Sequence, residues 1–256
     1  MKTRIITALI VMLICIPPVV LGGIPLEILA ILILSGGCYE WLHVQKEFSS
    51  WPPYIFSSCL ALTFLSRFVP NAYLFAFLIV CVVYFWSLNI FVETFTISNA
   101  FSMISFFVSF FLIYRSIGRI QENHLYLISI VFATYGSDTG AWFFGRRYGR
   151  HKMNPRISPK KSWEGFIGGI VSGFLIGWIP TFFYLGQVHL GLMFLLCLLC
   201  PVVAEFGDLC FSSIKRHYSI KDYSDLLPGH GGVLDRVDSL LMNILLFGAL
   251  SSFFII

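Results

Sequence analysis

Three aspartates have the residue type and spacing for chemistry. Asp235 and Asp238 stand three residues apart at the start of the last apolar stretch, so a helix there turns both carboxylates to one face. A third, Asp208, closes the apolar stretch before it. Carboxylates beside apolar stretches of this length are costly unless they pair or bind cations. Three that converge suit a hard divalent cation that takes oxygen ligands and shares them with phosphates, as Mg²⁺ does. A structural ion pair from Asp235 to Lys215 or Arg236 explains the same spacing, and residue types leave both readings open. Ahead of Asp235 lies Pro228-Gly229-His230-Gly231-Gly232. Its glycines let backbone N–H groups close on a phosphate, and they serve equally as a plain joint before a helix.

A second cluster lies upstream. Asp138 sits inside an apolar stretch, and Arg146, Arg147, Arg150, Lys152, Arg156, Lys160 and Lys161 follow it. An acid within a membrane span is a functional hypothesis by default. Ser158-Pro159-Lys160-Lys161-Ser162 gathers hydroxyls and ammoniums just before a helix start, where an anion is favoured. A basic loop beside a bilayer also serves orientation and headgroup attraction.

The elements that carry these groups follow from composition. Of 256 residues, 57% are hydrophobic and 12% charged, against about 25% charged in soluble domains. A soluble fold of this size could not hide so much hydrocarbon, and 27 Phe, 11 Tyr and 6 Trp exclude disorder. The expectation is an all-α, polytopic integral membrane protein with about nine transmembrane helices. The first follows Lys2 and Arg4 and weakens at Pro17-Pro18; the others lie near 24–42, 54–69, 71–92, 97–114, 124–144, 163–185, 188–206 and 234–256. Residues 1–123 then form the N-terminal helices and 124–256 a catalytic region with loops on one face.

Alternating these spans sorts the charges. Lys2, Arg4, Lys46, the seven basic residues of 145–162, Lys215, Arg216, Lys221 and Arg236 share one side, and only Arg67, Arg115 and Arg119 fall on the other. The positive-inside rule puts the first side, with the N-terminus, in the cytoplasm. A net charge of +4 held in such short gaps argues against a nucleic-acid surface. The seven cysteines show neither a disulfide framework nor a zinc pattern, and Cys197 and Cys200 read as helix packing. Gly165, Gly169, Gly173 and Gly177 recur every fourth residue, a small-residue stripe that lets a neighbouring helix approach closely; the spacing favours a helix of the same chain and leaves a second copy open.

The longest run of chemistry resembles a known signature. Ser212-x-Ile214-Lys215-Arg216, then Lys221-Asp222-x-Ser224, then Leu227-Pro228-x-His230-Gly231-Gly232-Val233-x-Asp235-Arg236-Val237-Asp238 is similar to the signature of phosphatidate cytidylyltransferases (CDP-diacylglycerol synthases). Asp138-Thr139-Gly140-Ala141 with Gly145-Arg146, and Ser158 to Gly165, resemble that family's upstream motifs. Phe211 departs from the pattern, standing where the family often has an acidic residue.

The resemblance implies a bacterial plasma-membrane enzyme with a cytoplasmic active site, commonly a homodimer. It would join CTP and phosphatidate into CDP-diacylglycerol and pyrophosphate with Mg²⁺, alongside a monovalent cation such as K⁺. It implies Asp208, Asp235 and Asp238 as cation ligands and, with Lys221, as catalytic groups. Asp138, Lys160, Lys161, Ser212, Lys215, Arg216, Asp222, His230, Gly231, Gly232 and Arg236 are then expected at the substrates, His230 either on a phosphate or holding the turn. A CTP-dependent lipid kinase and an anion transporter are the competing readings. The first conflicts with the long signature, the second with motifs concentrated in loops on one face.

Overall fold

A computed structural model describes residues 2–45 and 47–254, with the side chains of residues 2–5 left aside. The charges assigned above to Lys2, Arg4 and Lys46 therefore lie outside the described side chains. Each expected apolar stretch forms a helix: α1 (Lys2–Leu21), α2 (Gly23–His43), α3 (Tyr54–Leu65), α4 (Leu74–Phe91), α5 (Ile97–Ile120), α6 (Leu125–Tyr148), α7 (Trp163–Trp178), α8 (Leu190–His217) and α9 (Leu234–Leu250). Six helical segments, in α2, α4, α5, α7, α8 and α9, are long and apolar enough to cross a membrane. The apolar parts of α1 and α3 are shorter. Helix α1 continues through Pro17-Pro18, and Gly22 and Gly23, at φ +66° and +55°, turn it into α2. His124 covers that corner, its ring 2.7 Å from where a Cβ on Gly22 would lie.

Contacts between helix ends fall on two faces. On one, Gln45 after α2 donates to Tyr218 after α8 and to Ser102 in α5, both at 2.8 Å. Thr7 in α1 donates to Pro228 at 3.0 Å. On the other, Arg119 at the end of α5 donates to Gly248 O in α9 at 3.0 Å, and Asn123 donates to Gln187 O at 2.6 Å. Arg115 donates to the carbonyls of Ser66, Arg67 and Val69. These carbonyls lie in the turn that follows α3 and leads through Pro70 to α4.

The glycine stripe packs within the chain. Gly165, Gly169, Gly173 and Gly177 are buried along α7 against Ala133, Ser137 and Ala141 of α6, and α6 answers with Gly136, Gly140 and Gly145. Hydrocarbon supplies no hydrophobic drive between helices, so close backbone approach is what holds such a pair. The basic segment expected as loop contains a small antiparallel hairpin, β1 (Lys152–Asn154) with β2 (Ser158–Ser162), pairing Lys152 with Ser162 and Asn154 with Ser158. It ends where the Ser162 hydroxyl accepts the Gly165 N–H and caps α7.

Candidate active site

Helix α8 does not stop at Asp208. It runs on to His217, 28 residues in all, or about 42 Å, against about 30 Å of hydrocarbon. The expected loop at 207–217 is therefore helix. The extension places Asp208, Ser212 and Lys215 four and then three residues apart, on one face. The Ser212 hydroxyl donates weakly to Asp208 Oδ1 at 3.4 Å. Lys215 Nζ lies 2.7 Å from Asp235 Oδ1, with the two side chains 9% and 3% exposed. Asp235 Oδ2 accepts the N–H groups of Tyr223 (2.8 Å) and Gly232 (2.9 Å). The ion-pair reading of Asp235 is thus realised, and of the carboxylate's four lone-pair positions three are taken. Burial, with Asp235 close by, pushes the Tyr223 phenol above its ordinary value. Its hydroxyl donates to Phe211 O at 3.2 Å, so Phe211 packs into the signature loop.

Asp238 is buried and accepts only the Ser239 N–H, at 2.8 Å, among the described residues. Asp138 makes no hydrogen bond or ion pair among them. Asp208 Oδ2 meets Lys161 Nζ at 2.7 Å, and the same ammonium meets Glu205 Oε2 at 2.8 Å and Glu205 O at 3.2 Å. Burial acts to lower the Lys161 pKa, but Glu205 and Asp208 together outweigh it and raise the value. Glu205 is 2% exposed.

These groups line one cavity of about 810 Å³, where Asp138, Asp208, Asp235 and Asp238 meet Lys160, Lys161 and Arg236. Its lining also includes Arg146 and Lys152 and the aromatic residues Tyr135, Trp142 and Phe166. Arg146 lies over the Trp142 ring, 5.5 Å from its centroid. Lys152 and Lys160 are exposed and have no acidic partner among the described residues. The cavity therefore brings carboxylate oxygens together with uncommitted ammonium groups in its lining, the groups needed to gather several phosphates.

The remaining sequence-expected residues lie behind or beside the cavity. Ser212 and Lys215 hold Asp208 and Asp235 from behind. Gly232 supplies an N–H to Asp235, and Gly231 takes φ +83° in the turn. His230 gives its carbonyl to Arg236, and its Nδ1 is buried without a hydrogen-bond partner. Arg216 donates to Ile157 O and Ile220 O, tying the hairpin to the end of α8. Lys221 and Asp222 are exposed outside the cavity wall. Two residues the sequence reading passed over, Glu205 and Glu40, are buried acids inside apolar helices; that placement itself is the signal that could have found them.

Among the described residues no three Asp, Glu, His or Cys side chains form a ready metal cage. Mg²⁺ seldom uses one: it keeps waters and binds through one or two carboxylates plus substrate phosphates. Asp208 and Asp238 each retain open oxygen positions at the cavity, and Asp235 retains one, so the donor set fits that ion.

The chain matches the model of a family described as the cytidylyltransferase family over residues 2–254. It is 32% identical over 258 residues to a protein named phosphatidate cytidylyltransferase from Staphylococcus haemolyticus, covering 96% of this chain and 99% of the relative. A relative of the same name from Staphylococcus epidermidis is 33% identical over 265 residues with the same coverage. One from Staphylococcus aureus is 31% identical over 264. With a cavity that pairs carboxylates and free cations, and a match running nearly end to end, the chain belongs to the cytidylyltransferase family.

Proposed function

We propose that the chain is a phosphatidate cytidylyltransferase: it transfers CMP from CTP to phosphatidate, giving CDP-diacylglycerol and pyrophosphate. The observation that carries this reading is the cavity whose lining Asp208 and Asp238 share with Lys160, Lys152 and Arg146. A phosphatidate oxygen forms a bond to the α-phosphorus of CTP, and the bond from that phosphorus to the bridging β-phosphate oxygen breaks as pyrophosphate leaves in line. Both substrates are polyanions. Phosphatidate is already ionised near neutral pH, so the site needs no strong base, and catalysis rests on charge neutralisation and positioning.

Lys160, Lys152 and Arg146 bind phosphate oxygens. Lys161 sits between Asp208 and Glu205 and can turn toward the leaving group, and Lys215 and Arg236 fix the loop around Asp235. Lys221, exposed outside the cavity wall, would reach the nucleotide phosphates only on substrate binding. Asp208 and Asp238, with the remaining position of Asp235, would hold Mg²⁺, which when bound supplies charge for the attacking and leaving oxygens. A companion K⁺ would share the same carboxylates.

The chain crosses the bilayer nine times with its N-terminus and site in the cytoplasm; the alternation of helix ends and the one-sided basic residues support this. A homodimer is the assembly the resemblance implies. Purified protein given α-labelled CTP, phosphatidate and Mg²⁺ should place label in the lipid. Label reaching the lipid only from the γ position would instead identify a lipid kinase. Asp238→Asn should nearly abolish incorporation at unchanged expression, and near-normal turnover would remove Asp238 from the cation site.

A further inference from the structure

We propose that Glu40, on α2, is a positioning residue that holds the Asp235–Asp238 turn in register with Asp208; the inference rests on the function proposed above. Its carboxylate is fully buried and accepts three donors, the Ser224 hydroxyl at 2.6 Å, Val233 N–H at 2.7 Å and Leu234 N–H at 2.8 Å. Helix α9 has no cap of its own, because the residue at its cap is Val233, which carries no side-chain acceptor. Its first N–H groups would otherwise be orphans. Glu40 is the cap, supplied from the other half of the chain, and its negative charge sits at the positive end of the helix dipole.

A second observation fixes the same contact. Gly232 does not take a left-handed backbone, yet a Cβ there would lie 2.6 Å from Glu40 Oε1 and 2.7 Å from Oε2. Glycine at 232 thus makes room for Glu40. The loop is then gripped from two sides: Glu40 takes Ser224, Val233 and Leu234, while Asp235 takes Tyr223 and Gly232. Asp235 and Asp238 follow immediately, so slack in the Glu40 grip moves both carboxylates away from Asp208, and small misplacements cost rate heavily.

The test uses the full chain in detergent micelles. In Glu40→Gln, hydrogen exchange at Val233 and Leu234 should quicken about tenfold while α7 keeps its protection. The kcat for lipid labelling should fall about tenfold or more, with KM for phosphatidate within about twofold of wild type. Wild-type kcat, or faster exchange throughout the chain with kcat and KM failing together, would overturn the inference. Should Glu40→Gln not be recovered folded, Ser224→Ala removes one donor of three. A kcat loss of about threefold with local exchange supports the role, and wild-type values on both counts overturn it. If the wild-type protein labels no lipid, the proposed function falls, and exchange confined to residues 223–238 still decides whether Glu40 holds the turn.

Discussion

Lys161 shows how a single residue's environment decides its role. By sequence it is one of two adjacent lysines in a basic segment. In the fold its neighbour Lys160 stays exposed at the cavity, while Lys161 turns in to bridge Glu205 and Asp208. Removing one partner of a buried pair leaves an uncompensated charge and costs about 3–5 kcal/mol. Lys161→Met should therefore lower the melting temperature clearly, and Glu205→Gln, which keeps an acceptor beside Lys161, should lower it less.

The sign with pH follows from the raised Lys161 pKa. The stabilisation is fully present below the ordinary lysine value and is lost only as pH rises through the raised one. The melting-temperature gap between wild type and Lys161→Met should stay constant from pH 7 to about pH 10 and close only above it. A gap already shrinking between pH 7 and pH 9 would refute this account.

At the scale of elements, the close-packing face of α7 was legible because its signal is local, while its partner, α6, was not. Four glycines at one spacing require a partner that approaches closely, but they do not say which, and the structure supplies α6. A Cβ on Gly173 would come within 2.7 Å of Ala133 O and of the Pro201 ring, and neither can move without shifting backbone. Gly173→Ala should cost about 1–3 kcal/mol by overpacking, read as a lower melting temperature. Val171→Ala, on the exposed side of the same helix, should stay within about 0.5 kcal/mol. Equal effects would mean that the seam does not hold the pair. The extension of α8 was less legible. Apolar counting ends near residue 206, but backbone hydrogen bonds continue wherever neighbours pack, and the last turns carry Lys215, Arg216 and His217, favourable at a helix C-terminus. Glu40 was not legible at all as a cap, because its three donors lie 184 to 194 residues away in sequence.

For the whole molecule, scarcity of charge and its placement are one design. The nine helices of the described residues expose many large apolar side chains and leave few positions where a charge is tolerated, so polar groups gather at helix ends and in the cavity of the site. The contacts that tie α2, α8 and α9 together at Gln45, Glu40 and Tyr218 share a face with the site. Those of Arg115, Arg119 and Asn123 share the opposite one. If every helix crosses, residues 225 and 187 must lie on opposite sides of the bilayer. Both are exposed, so cysteines placed there are open to a membrane-impermeant maleimide once exposed Cys210 is replaced by serine. Asp225→Cys should react only in inside-out vesicles and Gln187→Cys only in right-side-out ones. The short α3, about 18 Å by its 12 residues, is the helix that decides the outcome. Gln45 before it is held on the site's face and Ser66 and Arg67 at its end by Arg115 on the other, so α3 passes from one face to the other. Labelling of the two positions with the opposite polarity would place the cavity outside the cell and overturn the proposed orientation.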